Sequence, residues 1–289
     1  MKLSQIQLEA FQEVARHSSF TKAALQLNLT QSALSHRIRN LEMDLETSLF
    51  VRSGNGVRLT ERGAGLLQFC RVQTQAEEEF LQGLRPEKNA RESLAGTLRI
   101  GGVSSLMRAT IIPAISELVR KHPNIRIEIS IREASELPRL ISSAQVDFVV
   151  IDSRINAANL EEISLGKEEY VLIESSKKNT VSDVYLDNNG EDQTTFEFFK
   201  LNGKKNLSLK RSFMGDIYGI LDGVSEGFGR AVVPLHLISE KKDYHILEGF
   251  KNLYHPVYLY QVRQPYYTKL HLAATNAIQT RVPAILACR

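Results

Sequence analysis

The chain has 289 residues, a formal net charge of only +3 and two cysteines. The length predicts about two domains and a connector, each with ample core. The weak charge excludes a polyanion binder acting through bulk electrostatics, so any nucleic-acid contact must come from locally placed Arg and Lys. No apolar run approaches the roughly 20 residues of a membrane span, and Met1 to Ala10, mixed in polarity, does not read as a signal peptide. A cytoplasmic location is expected.

The first predicted element is an amphipathic helix carrying Leu8, Phe11, Val14 and Ala15. Ala23, Ala24 and Leu27 then make a small-residue helical face that lets another helix approach closely. Asn28-Leu29-Thr30 is room only for a sharp corner, and Thr30 is placed to N-cap the next helix. That helix buries Leu34, Ile38, Leu41 and Leu45, which turns Gln31, Ser32, Ser35, His36 and Arg39 outward together. Such a face is either merely solvated or a recognition helix: Gln pairs with adenine, Ser bonds base edges or phosphates, and His and Arg reach guanine or phosphate. The order of parts favours recognition. Two short alternating runs flank Gly54-Asn55-Gly56, predicting a hairpin wing that brings Arg52 and Arg58 near the DNA backbone or minor groove.

Residues 3 to 66 resemble the N-terminal domain of LysR-type transcriptional regulators. The resemblance rests on Ser19-Phe20, Ala23-Ala24, Leu27, Gln31, Ala33-Leu34-Ser35, Ile38, Leu41-Glu42, Leu49-Phe50, Arg52, Leu59-Thr60 and Gly63, all at the family's spacing. It implies a winged helix-turn-helix over residues 1–60. There Gln31, Ser32, Ser35 and His36 would read bases, while Thr30, Arg39 and Arg52 would position the helix on phosphates of double-stranded DNA. Two positions depart from the pattern: His36 stands where the family usually carries Arg, and Glu46 where a Gly commonly ends the recognition helix.

From Glu61 to about Arg85 the pattern is one long helix. One stripe is Leu66, Phe69, Ala76 and Phe80; its neighbour is Leu67, Cys70, Leu81 and Leu84. A face that broad implies a partner helix from a second copy, hence a homo-oligomer. Glu77, Glu78 and Glu79 read as a solvated stretch. The helix stops at Pro86, and Glu87 to Ser93 reads as a hinge, giving a linker over residues 61–95. Cys70 and Cys288 fit no metal or disulfide spacing and read as buried small hydrophobes, a redox switch being the other reading.

Strands and helices then alternate. Strands are expected at Thr97–Val103, Ile125–Ile131, Val146–Ile151, Tyr170–Glu174, Val184–Leu186, Leu207–Leu209, Arg230–Val233 and Val257–Arg263, and helices at Pro113–Lys121, Glu136–Ser143, Asp216–Ser225 and Thr268–Ala287. The alternation predicts a parallel sheet covered by helices. More loosely than the first domain, residues 96–289 resemble the family's two-lobed, periplasmic-binding-protein-like α/β effector domain. Crossings are expected near 160 and 265: one lobe takes 96–163 and 265–289, the other 164–264. The fold class is therefore a multidomain α+β chain. By this resemblance the protein is a dimer or tetramer gated by a small-molecule effector.

Ligands of open α/β sheets bind where strand ends meet helix N-termini. That rule selects Ser104 and Ser105, Glu133 and Ser135, and Asp152 in one lobe, and Asp187, Met214, Gly215 and Asp216 in the other. Hydroxyls and free N–H groups facing several carboxylates predict a small zwitterion such as an amino acid. Other classes fare worse. Gly223-Val224-Ser225-Glu226-Gly227 matches the serine-hydrolase elbow, but the expected order is helix then strand, the reverse of what the elbow requires. The seven histidines show no zinc spacing, and no cofactor motif stands out. A metabolite sensor without DNA function would leave the first 95 residues unexplained.

Overall fold

The computed structural model describes residues 3–53, 56–83, 94–204, 208–238 and 241–287. The Gly54-Asn55 turn, Leu84, the expected helix stop at Pro86 and hinge from Glu87 to Ser93, Leu207, Cys288 and the Arg52 side chain lie outside the described residues.

Helices α1 (Gln5–His17), α2 (Phe20–Gln26) and α3 (Gln31–Asp44) pack around Phe11, Val14, Ala23, Leu34 and Leu41, all fully buried. Alanines at 23 and 24 let α2 lie close to its neighbours, as their size requires. The corners are set by left-handed residues. Asn28 ends α2, with its own N–H on Leu25 O and the Leu29 N–H on Ala24 O. Glu46 does the same for α3, with the Glu46 N–H on Met43 O and the Thr47 N–H on Glu42 O. Both are Schellman closures, in which glycine is usual because it adopts positive φ without strain. The wing follows as strands β1 (Phe50–Ser53) and β2 (Gly56–Leu59), antiparallel, with Phe50 opposite Leu59.

Helix α4 (Glu61–Gly83) divides its apolar residues. Leu66, Leu67 and Cys70 close the N-terminal core, whereas Phe69, Phe80 and Leu81 face outward. The acidic stretch is not wholly solvated, since Glu79 accepts the Leu270 N–H at 3.3 Å.

The sensor begins with β3 (Ala95–Gly102) and α5 (Ser104–Leu106), which passes through a π turn at Met107–Ile111 into α6 (Ile112–Lys121). Next come β4 (Asn124–Ile131), α7 (Leu137–Ser142), β5 (Phe148–Ile151) and the 16-residue β6 (Leu160–Ser175). The second lobe adds β7 (Val184–Asp187), α8 (Thr194–Leu201), β8 (Lys210–Phe213), α9 (Ile217–Ser225), β9 (Ala231–Pro234) and β10 (Tyr244–Ile246). Strand β11 (Leu253–Val262) and helix α10 (Lys269–Ala287) return to the first lobe. Both α8 and β10 are absent from the expected elements.

The main sheet is mixed, not parallel throughout. Its order is β10-β6-β11-β5-β3-β4, with β9 also on β6. Within it, β3 pairs β4 and β5 in parallel and every pairing of β6 and β11 is antiparallel, while β7 and β8 form a separate parallel pair. Strands β6, which starts at Leu160, and β11, which ends at Val262, run on from one lobe to the other. Gly166, at φ +121°, faces the register shift between Val257 and Tyr258, and Tyr258 to Gln261 already pair with β5. Each lobe has its own core, around Ile100, Phe148 and Leu259 in the first and Ile173, Leu186 and Val224 in the second. No described helix is long and apolar enough to cross a membrane.

Candidate functional site

The outward face of α3 starts at its cap. Thr30 Oγ1 accepts the Ala33 N–H at 3.2 Å and lies 3.1 Å from Ser32 Oγ, so one hydroxyl starts the helix and orients the next. Gln31, Ser32, His36 and Arg39 are exposed and Ser35 is half-buried, opposite the buried Leu34, Ile38 and Leu41. Asn40, which periodicity did not single out, sits one turn beyond His36 with its amide 3.4 Å from Nδ1.

The wing is fixed to this helix and to α1. Glu42 Oε1 accepts the backbone N–H groups of Leu49 and Phe50 at 2.7 and 3.3 Å. The Val57 N–H donates to Ser18 O at 3.1 Å, and Gly56 passes so near that carbonyl that a Cβ would sit 2.8 Å from it. Arg52 pairs through its backbone with Val57, and Arg58 is exposed. Thr60 caps α4 by accepting the Gly63 N–H at 2.9 Å.

In the sensor, β3 ends at Gly102, where a Cβ would meet Met107 Sδ at 2.6 Å, so the chain turns straight into α5. Ser104 and Ser105 are the half-buried first residues of that helix. Glu133 and Ser135 are exposed beyond β4, and Asp152 is half-buried beyond β5. Across the cleft, the Met214 and Gly215 N–H groups bond Asp187 O and Asn188 O at 3.0 and 2.9 Å, holding the turn before α9 against the end of β7. Asp216 caps α9 through the Gly219 N–H at 2.7 Å.

Asp187 departs from its expected role. Its carboxylate is buried, paired with Arg211 and hydrogen-bonded by Thr195, so it is spent inside the second lobe. Burial is the main influence on it, raising its pKa against those two partners.

Three interlobe contacts were not legible in the sequence. Asn188 Nδ2 donates to Glu133 Oε2 at 3.4 Å, while Asn188 Oδ1 is buried with no partner among the described residues. The Arg108 guanidinium lies 3.6 Å from the Tyr218 ring centroid. His255 stands between Asp152 at 3.7 Å and Glu197 at 3.0 Å, and its pKa is raised by the Asp152 contact foremost. Beside it on β6, Glu168 is 1% exposed with one donor, the Tyr170 hydroxyl at 2.8 Å. Burial pushes the Glu168 carboxyl up to about 8 and, 3.6 Å away, the His236 imidazole down to about 4.

At the Gly223–Gly227 motif, Ser225 is the last residue of α9 and β9 follows it. The strand-Ser-helix order of a nucleophile elbow is reversed.

The model for bacterial regulatory helix-turn-helix proteins of the lysR family matches residues 6–64, and that for the LysR substrate-binding domain matches residues 91–179. The chain belongs to the LysR-type transcriptional regulators. As a LysR-type regulator it pairs a DNA-binding domain with an effector-binding domain. Among curated relatives, the HTH-type transcriptional regulator YofA of Bacillus subtilis is 28% identical over 243 residues, 78% of this chain and 80% of that one. CzcR of the same organism is 28% identical over 249 residues, 82% and 83% of the two chains. Among solved structures, ArgP of Mycobacterium tuberculosis superposes with TM-score 0.77 at 20% identity, covering 99% of this LysR-type regulator and 98% of ArgP. Full-length LysG of Corynebacterium glutamicum with bound effector Arg gives 0.74 at 17% identity, covering 98% of each chain. At such identities these two show a shared fold.

Proposed function

We propose that this LysR-type regulator reads its operator with Gln31, Ser32, Ser35 and His36, is positioned on phosphates by Thr30, Arg39 and Arg52, and is gated by an amino acid bound between its lobes. The domain division is 1–60 for DNA binding, 61–95 for the linker and 96–289 for the sensor. The protein works in the cytoplasm as a homo-oligomer and is not an enzyme. Exposure of Phe69, Phe80 and Leu81 on one long helix supports pairing of linker helices.

The observation that carries the effector reading is Asn188. Its buried carboxamide oxygen has no partner among the described residues, and together with the Glu133 carboxylate bonded to its amide it supports a two-acceptor seat for an ammonium once the lobes part to admit one. The N–H groups opening the helix at Ser104 and Ser105 offer the complementary seat for a carboxylate. Arginine bound to the similarly folded LysG supports the same class of ligand. Effector binding favours one closure state of the lobes, and the linker passes it to the paired recognition helices.

A thermal-shift screen of the full-length protein tests this. An amino acid, with arginine as first probe, is expected to raise the melting temperature in proportion to the logarithm of its concentration above Kd. Glu133→Gln should lose that rise. A protein stabilised by another metabolite class and by no amino acid overturns the proposal.

A further inference from the structure

The linker helix rests on the sensor through polar contacts. Gln68 Nε2 donates to Gln264 Oε1 at 3.4 Å, and the Gln75 side chain closes on Gly96. Beside this seam lies a cavity of about 1070 Å³. The DNA-binding unit and α4 wall one side; β3, β4 and α7 of the first lobe wall the other. It is separate from the interlobe cleft, because neither Ser104, Glu133, Asp152 nor Asn188 lines it.

Arg71 enters this cavity from the middle of α4, and its Nη1 is buried with no hydrogen-bond partner among the described residues. Burial is the main influence on the guanidinium, lowering its pKa, and Asp147 and Glu128 offset that only at a distance. Both carboxylates are engaged elsewhere: Asp147 accepts the Arg99 N–H at 2.8 Å, and Glu128 pairs with Arg99 Nε at 2.9 Å. Arg58 and Arg139 also line the cavity with no ion pair among the described residues; against these three guanidiniums stand Glu61, Glu78 and Asp147, likewise in no ion pair, while Arg16 pairs with Glu13 and Arg99 with Glu128. The outward sides of β3 and β4 supply the hydroxyls of Thr97 and Ser130. A buried guanidinium N–H without an acceptor is costly, and an oxyanion is the acceptor its planar fork suits best.

The geometry points to a second ligand site, distinct from the effector cleft, in which a small carboxylate- or phosphate-bearing oxyanion is held by Arg71 between the DNA-binding unit and the sensor. Such a ligand touches both units, so its binding favours the arrangement in which α4 lies on the first lobe. It thereby acts on the recognition helices without passing through the cleft.

The test is calorimetric titration of the full-length protein with sodium phosphate and, separately, sodium succinate, at ionic strength matched with chloride. The wild type should bind one of them saturably, and which one responds assigns phosphate or carboxylate. Arg71→Lys, which keeps the charge and loses the fork, should weaken binding about tenfold. Ser130→Phe, which puts an apolar ring on the β4 wall in place of a hydroxyl, should also weaken it, and decides the matter if Arg71→Lys fails to fold. Glu133→Gln, a cleft variant, should leave oxyanion binding unchanged even if the amino-acid proposal fails. The proposal is overturned if neither anion binds beyond chloride, or if the cavity variants bind as the wild type does.

Discussion

Glu42 Oε1 accepts the backbone N–H of Leu49 at 2.7 Å and of Phe50 at 3.3 Å, so one carboxylate near the end of the recognition helix holds the start of the wing. The two LysR-type motif pairs Leu41-Glu42 and Leu49-Phe50 are thus one structural unit. Glu42→Ala leaves two N–H groups without their acceptor, and should cost about 1–3 kcal/mol in the DNA-binding unit. Glu42→Gln keeps an accepting oxygen and should cost less. Urea unfolding followed by a probe in the N-terminal unit ranks the two; equal losses would show that packing, not the shared acceptor, matters here.

Gly63 and Gly65, two residues apart in α4, face different surroundings. A Cβ at Gly63 would stand 2.1 Å from Leu49 O, whereas one at Gly65 meets nothing within 4 Å. Gly63→Ala must push the start of α4 off the wing and should destabilise by about 1–3 kcal/mol. Gly65→Ala should stabilise by about 0.5–1 kcal/mol through backbone entropy. Melting of the two variants side by side separates close approach from helix propensity.

The N-terminal unit was legible because its determinants are local: the cap at Thr30, the Ala23-Ala24 face, and the alternation around the wing. The sensor was legible as alternating elements but not as a sheet. Whether β11 runs antiparallel between β5 and β6 depends on partners some 100 residues apart, which no local pattern encodes. Helix α8 was missed because Thr-Thr-Phe-Glu-Phe-Phe-Lys-Leu is short and aromatic, and its buried Phe198 and Phe199 form a core no window reveals. Asp187 looked like a free strand-end carboxylate; Arg211, 24 residues later, claims it.

Four titratable groups set opposite limits on pH stability. Glu168 titrates at about 8 in the fold, so above the ordinary carboxylate range the folded state holds a proton that the unfolded state has lost. Stability then falls as pH rises toward 8. His255, with its pKa also raised, acts in the same direction. His236 and His271 are pushed by burial down to about 4, so below the ordinary histidine range the unfolded state binds the extra protons and stability falls as pH drops. The melting temperature should peak between these limits. Glu168→Gln should flatten the alkaline limb, by an amount on the order of a few kcal/mol at most, and His271→Gln the acid limb. An unchanged alkaline limb in Glu168→Gln would mean that the carboxyl is ionised in the fold.

Arg108 and Tyr218 join the lobes, the guanidinium lying 3.6 Å from the ring centroid. Arg108 sits in the π turn, whose extra residue breaks the helical spacing that would have placed it from sequence. If the contact favours the closed state, Arg108→Ala should weaken effector affinity by about 2- to 5-fold. Tyr218→Phe keeps the ring and should bind as the wild type does. Titrating both variants with the effector found by thermal shift distinguishes a latch from a bystander pair.

The recognition face makes separable claims about sequence reading and phosphate contact. Gln31 is exposed at the first turn of α3, where a side chain meets base edges, so Gln31→Ala should lose about 1–3 kcal/mol of discrimination at one base pair. Affinity for unrelated DNA should change little. Arg39, exposed two turns later, should behave in the opposite way: Arg39→Ala weakens all sequences alike and lowers the salt slope by about one. The double variant Ser35→Ala with Arg52→Ala should abolish specific binding while ligand-induced stabilisation persists, because the sensor has its own core. Gel retardation over a salt series, paired with the thermal-shift response of the same preparations, reads all of these. If the double variant loses the ligand response along with DNA binding, it has damaged the fold rather than the reading of DNA.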